Sequence, residues 1–297
     1  MAVKRPGSTV RRAVEQISVG EDGAARRTRA DVLAAEEPLE IRIVRAEDAR
    51  GGPLDAAAIP VSVTMRTPGA DFELAAGFLY GEGLIGGGDA ISSIRYCTSG
   101  EQQYNVVHVV LSPGAPFDPA SLSRNFYQTS SCGVCGKASI SAVMGPACAR
   151  VASDLVVSPD VIVSLPDKLR AAQAVFERTG GLHAAGLFTA QGELVRARED
   201  VGRHNALDKL VGASLLAGEL PWAERIVMVS GRLSFELVQK AARAGAPVLA
   251  GVSAPSSLAV ELAETAGVTL CGFVRGGRFN VYAGGGRIAT GAVAATR

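Results

Sequence analysis

Apolar and polar residues alternate over residues 39–45 (L-E-I-R-I-V-R), and again over 60–66, where Val61, Val63 and Met65 take every second position. A period of two places one set of side chains on one face of a strand, so both segments are predicted to be half-buried strands. Gly51-Gly52-Pro53 lies between them as a loop, and an antiparallel pairing follows. Over 71–83 the period lengthens: Phe72, Ala75, Ala76, Leu79 and Tyr80 mark the stripe of an amphipathic helix. Asp71 stands in the capping position, and Gly81 and Gly83 mark the end. Residues 94–99 and 104–111 are predicted as two further strands joined by a short polar turn. Residues 1–30 show no sustained period and carry seven Lys/Arg against three Asp/Glu, which predicts a flexible basic tail.

The second half reads differently. Residues 167–178 are predicted as a helix, followed by a strand over 183–189 and a short one over 193–198. Helices follow over 203–217, 235–244 and 257–266, with Gly218, Gly245 and Gly267 just past their ends. Short apolar runs at 226–229, 248–252 and 268–274 have the look of buried strands, and 279–282 that of an edge strand. Strand, helix, strand, helix, strand with short loops describes parallel βαβ units. The fold class is therefore α/β (α+β overall): a β-rich region over 31–150, an α/β domain over 151–282, and a loose Gly-rich tail over 283–297.

Composition narrows the class. The 297 residues balance 30 basic against 29 acidic side chains, which argues against nucleic acid or a membrane as partner. No apolar run is long enough to span a bilayer, and Arg11-Arg12 lacks the apolar stretch of a twin-arginine signal. Five cysteines (97, 132, 135, 148 and 271) in so long a chain do not make a disulfide framework, so the protein is expected to be cytoplasmic with reduced thiols.

The densest chemistry lies at 129–139, T-S-S-C-G-V-C-G-K-A-S, where Cys132 and Cys135 form a C-x-x-C pair. Lys137 and the start of a helix-like run favour the thiolate. A zinc half-site, a dithiol redox centre and a persulfide-carrying sulfur shuttle all fit this loop, and two ordinary core cysteines fit it less well. Zinc would need two more ligands, from Cys97, Cys148 or Cys271 or from a second copy of the loop. A zinc deaminase is excluded, since no proline precedes Cys132 and no histidine opens an H-x-E.

Ligands of open parallel sheets sit beyond the carboxyl ends of the strands. Those ends read Ser230-Gly231-Arg232, Ser253-Ala254-Pro255-Ser256-Ser257 and Arg275-Gly276-Gly277-Arg278. Helix N-termini and arginines suit a phosphate-bearing or nucleotide-like ligand, although good turns and caps have the same composition. Neither a P-loop nor a G-x-G-x-x-G is present. The polar run 198–205, with His204, could bind a ligand or orient a sulfur donor, while its local pattern favours a helix cap with surface ion pairs. His183 and His108, inside apolar runs, read as core histidines.

Taken in order, Glu36-Glu37-Pro38-Leu39, Met65-Arg66-Thr67-Pro68-Gly69, Arg124-Asn125-Phe126-Tyr127 and Ser131-Cys132-Gly133-Val134-Cys135-Gly136-Lys137-Ala138 resemble the FdhD family, the formate dehydrogenase accessory sulfurtransferases. So do Thr179-Gly180-Gly181-Leu182-His183 and residues 198–209, 253–261 and 272–282. The resemblance implies a cytoplasmic sulfur carrier. A cysteine desulfurase of the IscS type would load it, and it would sulfurate the molybdenum bis-molybdopterin guanine dinucleotide cofactor before that cofactor enters formate dehydrogenase. It also implies a homodimer with a cytidine-deaminase-like fold and no tightly bound metal. By motif, Cys132 matches the persulfide-bearing cysteine and Cys135 its partner. Phe273, Val274, Arg275, Gly276, Gly277 and Arg278 match the segment that contacts the cofactor, for which GDP-like ligands would stand in. Arg232, Ser253, Ser256 and Ser257 join them from the strand ends. The alternative is a zinc-stabilised dimeric module that chaperones apo-formate dehydrogenase without moving sulfur.

Overall fold

The computed structural model describes residues 6–21, 23–50, 54–97, 103–118 and 150–289. They form three sheets. The first corrects the expected tail: β1 (Thr9–Gly20) and β2 (Gly23–Ala34) pair antiparallel from Thr9↔Ala34 to Gly20↔Gly23. Val10, Val14, Ile17 and Val19 supply strand-forming side chains, and Gly23, at φ 114°, closes the turn. Both faces are largely wet and of mixed polarity, which is why no period of two shows.

The second sheet has the order β4-β3-β6-β5. β3 (Glu37–Val44) pairs antiparallel with β4 (Ile59–Arg66) as expected, and the four-residue helix α1 (Leu54–Ala57) lies between them in the chain. β5 (Ile91–Tyr96) and β6 (Val106–Leu111) complete the sheet, with β6 parallel to β3. Leu74 and Leu79 of α2 (Asp71–Gly81) share a core with Leu39, Ile41, Ile43, Val107 and Val109. Asp71 is not the cap of α2: Ala70 holds that position at φ 55°, without a side-chain bond. The Asp71 carboxylate is instead buried against Arg66, which is 0% exposed, at 3.1 Å. A buried guanidinium requires such a partner.

The third sheet has the order β12-β11-β10-β9-β7-β8. It is built from α3 (Pro159–Ala171), α4 (Ala174–Thr179), β7 (His183–Thr189), β8 (Leu194–Asp200), α5 (Arg203–Leu216) and β9 (Arg225–Val229). α6 (Phe235–Arg243), β10 (Val248–Gly251), α7 (Ser257–Ala266), β11 (Thr269–Arg275) and β12 (Arg278–Ala283) follow. β9, β10 and β11 are parallel, as the βαβ pattern predicts, while β7 runs against β9. Leu207, Leu237 and Ala263 of α5, α6 and α7 pack with one face of the sheet; Ile162, Leu165 and Leu169 of α3 pack with the other.

Two expectations are corrected here. The single helix over 167–178 is two, and the first begins at Pro159, with Ser158 Oγ accepting from Asp160 N–H at 3.3 Å. Gln173, in the non-helical link (φ −85°, ψ 68°), separates them. The chain after Ala283 is also ordered as far as it is described. Ile288 is buried and bridges Val157, and Arg287 donates to the Gly267 carbonyl at 2.9 Å.

α2 and α5 join the second sheet to the third. They cross at Gly77 and Gly212, where a Cβ on Gly77 would fall 1.9 Å from the Asp208 carbonyl oxygen, and one on Gly212 would fall 1.8 Å from that of Glu73. Only glycine permits so close an approach of two backbones.

Candidate functional site

Because β7 runs against β9, its first residue lies at the same edge as the last residues of β8 and the parallel strands. His183 pairs with Asp200, Ala185 with Val229, and Val229 with Gly251. The loops at 180–183, 200–203, 230–234, 252–256 and 275–278 therefore gather at one edge. The structure brings together there the strand-end residues singled out in the sequence.

Their roles differ. Ser256 caps α7, its Oγ accepting from Ala259 N–H at 3.3 Å, and Ser257 is the exposed first residue of that helix. For Ser256 the plain cap reading holds. The Ser253 carbonyl accepts from Phe273 N–H at 3.2 Å, and Leu233 N–H donates to the Ala254 carbonyl at 3.1 Å, so adjacent loops are stitched together. Val274 is 0% exposed and its side chain belongs to the core, leaving no side-chain surface for the expected cofactor contact. The alternation of β11 turns it inward, whereas Arg275 is exposed. Phe273 has φ 54°, in the left-handed region, beside an irregularity in the β11–β12 pairing. Such strain in a non-glycine residue gathers at functional positions. Arg275 lies 5.4 Å over the Phe273 ring, and Gly276 (φ 59°) and Gly277 (φ 73°) form the turn that places Arg278 opposite Arg275. Arg232 is exposed on the next loop but one. Among the described residues, Arg232, Arg275 and Arg278 have no carboxylate partner, so their charge faces outward from the edge.

The run 198–205 is not a surface cap. Asp200, 0% exposed, meets Lys209 Nζ at 2.6 Å and accepts from Thr67 N–H at 3.1 Å, Gly202 N–H at 2.8 Å and Asn205 Nδ2 at 3.0 Å. Asn205 also donates to the Met65 carbonyl at 2.8 Å, and Lys209 to that of Thr67 at 2.8 Å. The cluster clamps the 65–69 segment onto the edge of the third sheet. His204 Nε2 lies 2.9 Å from Glu236 Oε2 and 3.1 Å from Ser234 Oγ.

His183 is not a core histidine. It is half-buried, lies against Gly231 and lines a cavity of about 570 Å³ bounded by α3, α4 and the start of β7. Burial holds its pKa below the usual value, and nearby Arg203 and Arg232 reinforce this, against the opposing charge of Asp200. The imidazole is therefore neutral at pH 7. Arg203, part of the 198–205 run, has a buried Nε without a hydrogen-bond partner, and the cavity residues Arg170, Gln173 and Phe176 were not singled out in the sequence. The sequence signal for this corner is Gly180-Gly181, which opens the backbone just before β7.

Cys132, Cys135, Lys137 and Cys148 lie outside the described residues. Cys271 is fully buried in β11, and burial pushes its thiol up to about 12. His108 Nε2 lies 3.0 Å from Asp55 Oδ1, and Cys97 Sγ lies 3.3 Å from Asp55 Oδ2, both in the second sheet and away from the edge. Among the described residues no helix is long and apolar enough to cross a membrane.

Comparison with known proteins places this geometry in context. Residues 36–289 match the profile of the FdhD/NarQ family. The sulfur carrier protein FdhD of Streptomyces avermitilis is 55% identical over 293 residues, covering 97% of this chain and 98% of that one. The sulfur carrier protein FdhD of Mycobacterium tuberculosis is 48% identical over 269 residues, covering 88% and 93%. The crystal structure of an inferred formate dehydrogenase accessory protein from Desulfotalea psychrophila superposes with a TM-score of 0.69 at 26% identity, over 94% of this chain and 99% of that one.

Proposed function

The chain belongs to the FdhD/NarQ family, and from that premise we propose that it is a sulfur carrier in the maturation of formate dehydrogenase. Cys132 takes sulfur from a cysteine desulfurase of the IscS type. Its thiolate attacks the outer sulfur of the desulfurase persulfide, the desulfurase leaves as a thiolate, and Cys132 then bears the persulfide. Cys135 is the partner thiol, and Lys137 favours the anionic forms. The sulfur acceptor is the molybdenum bis-molybdopterin guanine dinucleotide cofactor, bound as a substrate before it enters formate dehydrogenase. Arg232, Arg275 and Arg278 meet its phosphates, and the main chain around Ser253 and Gly276-Gly277 lets it approach closely. The reading includes a cytoplasmic homodimer of cytidine-deaminase-like fold, without a tightly bound metal.

The observation that carries the cofactor part is the row of outward-facing arginines at one sheet edge, none paired with a carboxylate among the described residues. Guanidinium groups suit phosphate oxygens through paired hydrogen bonds. The test is peptide mass spectrometry after incubation with a cysteine desulfurase and L-cysteine, without reductant. One added sulfur on Cys132, removed by dithiothreitol, is expected. Cys132→Ala should fold normally and fail to activate formate dehydrogenase; a fully active variant would overturn the assignment.

A further inference from the structure

β1 and β2, at twelve residues each, are the longest strands among the described residues, and neither pairs with a third strand there. A two-stranded hairpin alone is marginally stable in water; a third strand or a packed helix steadies it. α4 does so at the root of β2, where a Cβ on Gly181 would lie 3.8 Å from that of Ala34. Beyond the root the ribbon is uncovered. Four of the ten exposed large hydrophobic side chains of the described residues lie on it: Val10, Ile17, Val19 and Leu33. Strand edges that stay single are ordinarily blunted by lysine, proline or a bulge. β1 contains no lysine or proline, and its register with β2 runs from end to end without a shift. Just before β1, the Ser8 carbonyl accepts from Ala35 N–H at 2.9 Å, so position 8 bonds across the ribbon. Bonding direction alternates along an antiparallel strand. Even positions of β1 therefore bond to β2, and the N–H and C=O groups of Thr9, Arg11, Ala13, Glu15 and Ile17 point out of the open edge.

We propose that β1 pairs with β1 of a second copy of this chain, antiparallel about a two-fold axis at Ala13, so that the two ribbons make one four-stranded sheet. The outward-facing residues then meet in order. Ala13 stands opposite Ala13, Arg11 of each copy opposite Glu15 of the other, and Thr9 of each opposite Ile17 of the other. Each such pair exchanges two backbone hydrogen bonds, and unlike charges directly across a sheet stabilise the pairing. An axis at Arg11 or at Glu15 would instead set that charge against itself. β2 is the poorer edge: it carries Arg26, Arg27 and Arg29 against Asp31 alone, and its root is taken by α4. Residues 9–17 in register make a contact about 30 Å long. This is one edge, well short of the roughly 1,600 Å² of a standard interface, so the joint is weak and depends on concentration. The inference deepens the homodimer of the proposed reading by naming a joint for it.

The test uses the full chain, with sedimentation equilibrium from about 1 to 100 µM and hydrogen exchange resolved along β1. Self-association should rise over that range, and the N–H groups of Arg11, Ala13, Glu15 and Ile17 should gain protection with it. Arg11→Glu sets like charges opposite each other at two places and should weaken the association about tenfold. Adding Glu15→Arg restores unlike pairs and should return it. Ala13→Pro removes an outward N–H, where an edge strand tolerates proline. It should abolish protection at the odd positions while the even positions of β1 keep theirs. Odd positions that exchange fast at every concentration overturn the joint, and so does an Arg11→Glu protein that associates like the parent. Protection that comes only on adding a cysteine desulfurase also overturns it, and assigns the edge to that protein. A stable dimer with unprotected odd positions removes the joint and leaves the proposed homodimer standing. Sulfur uptake on Cys132, measured on the same samples, tests the sulfur-carrier reading separately.

Discussion

Gly77→Ala tests the joint between the two large sheets. The added Cβ would fall 1.9 Å from the Asp208 carbonyl oxygen, 2.7 Å from its carbon and 2.8 Å from Gly212 N. All three are backbone atoms, so no side chain can rotate away. Restoring an ordinary contact of about 3.3 Å, typical of weak C–H···O approaches, requires α2 and α5 to part by more than about 1 Å. That movement stretches the bonds that cross the same joint, Asn205 to the Met65 carbonyl at 2.8 Å and Lys209 to that of Thr67 at 2.8 Å. Overpacking costs about 1–3 kcal/mol, and weakening two buried hydrogen bonds adds about 1–2 kcal/mol. Alanine returns about 1 kcal/mol through its better helix propensity. The net loss is about 1–4 kcal/mol, or roughly 2–6 °C in Tm for a chain of this size. Calorimetry of Gly77→Ala should show it, with Gly86→Ala as control, since nothing lies within 4 Å of a Cβ at Gly86. A Gly77→Ala protein melting within about 1 °C of the parent would refute the steric argument.

Two more predictions concern buried charge and pH. Lys209→Met leaves the fully buried Asp200 carboxylate with N–H donors and no cation, and should cost about 3–5 kcal/mol in urea unfolding. Adding Asp200→Asn should recover part of that loss; strictly additive losses in the double variant would show that the two groups do not interact. Burial lowers the pKa of both His108 and His183, and Arg203 further lowers that of His183. Between their folded values and the unfolded value of about 6.5, the unfolded chain binds more protons, so stability falls as pH is lowered through this window. His183→Asn should flatten the decline of Tm between pH 7 and 5, and an unchanged slope would count against the assignment.

Much of the third sheet was legible because its strands are short apolar runs and its helices stop at glycine. The predicted strand over 183–189 and helix over 257–266 coincide with β7 and α7. The start of α3 was hidden by Pro166, a residue that ordinarily breaks a helix; here it is accommodated within the helix. The 198–205 run misled because its partners are far away in sequence: Thr67 and Asp200 are 133 residues apart. Local pattern distinguishes a cap from a clamp only when the partner is local too. The arginines of the site were visible as residue types at strand ends. Gln173 of the cavity was not: its Nε2 is buried without a hydrogen-bond partner, which is a property of its surroundings and leaves no mark on the residues beside it. The C-x-x-C loop remains legible as a motif only, since it lies outside the described residues.

The β1–β2 ribbon bears on how the subunits of this protein should be counted. Each strand has twelve residues, and positions 23–30 are exposed throughout. At about 3.4 Å per residue the ribbon is about 40 Å long, whereas a compact chain of this length has a radius of gyration of only about 19 Å. An arm of that reach adds drag out of proportion to its mass. A monomer should therefore elute from a sizing column ahead of globular markers of equal mass, and would pass for a dimer. Light scattering or sedimentation equilibrium, which weigh the particle, can distinguish the two.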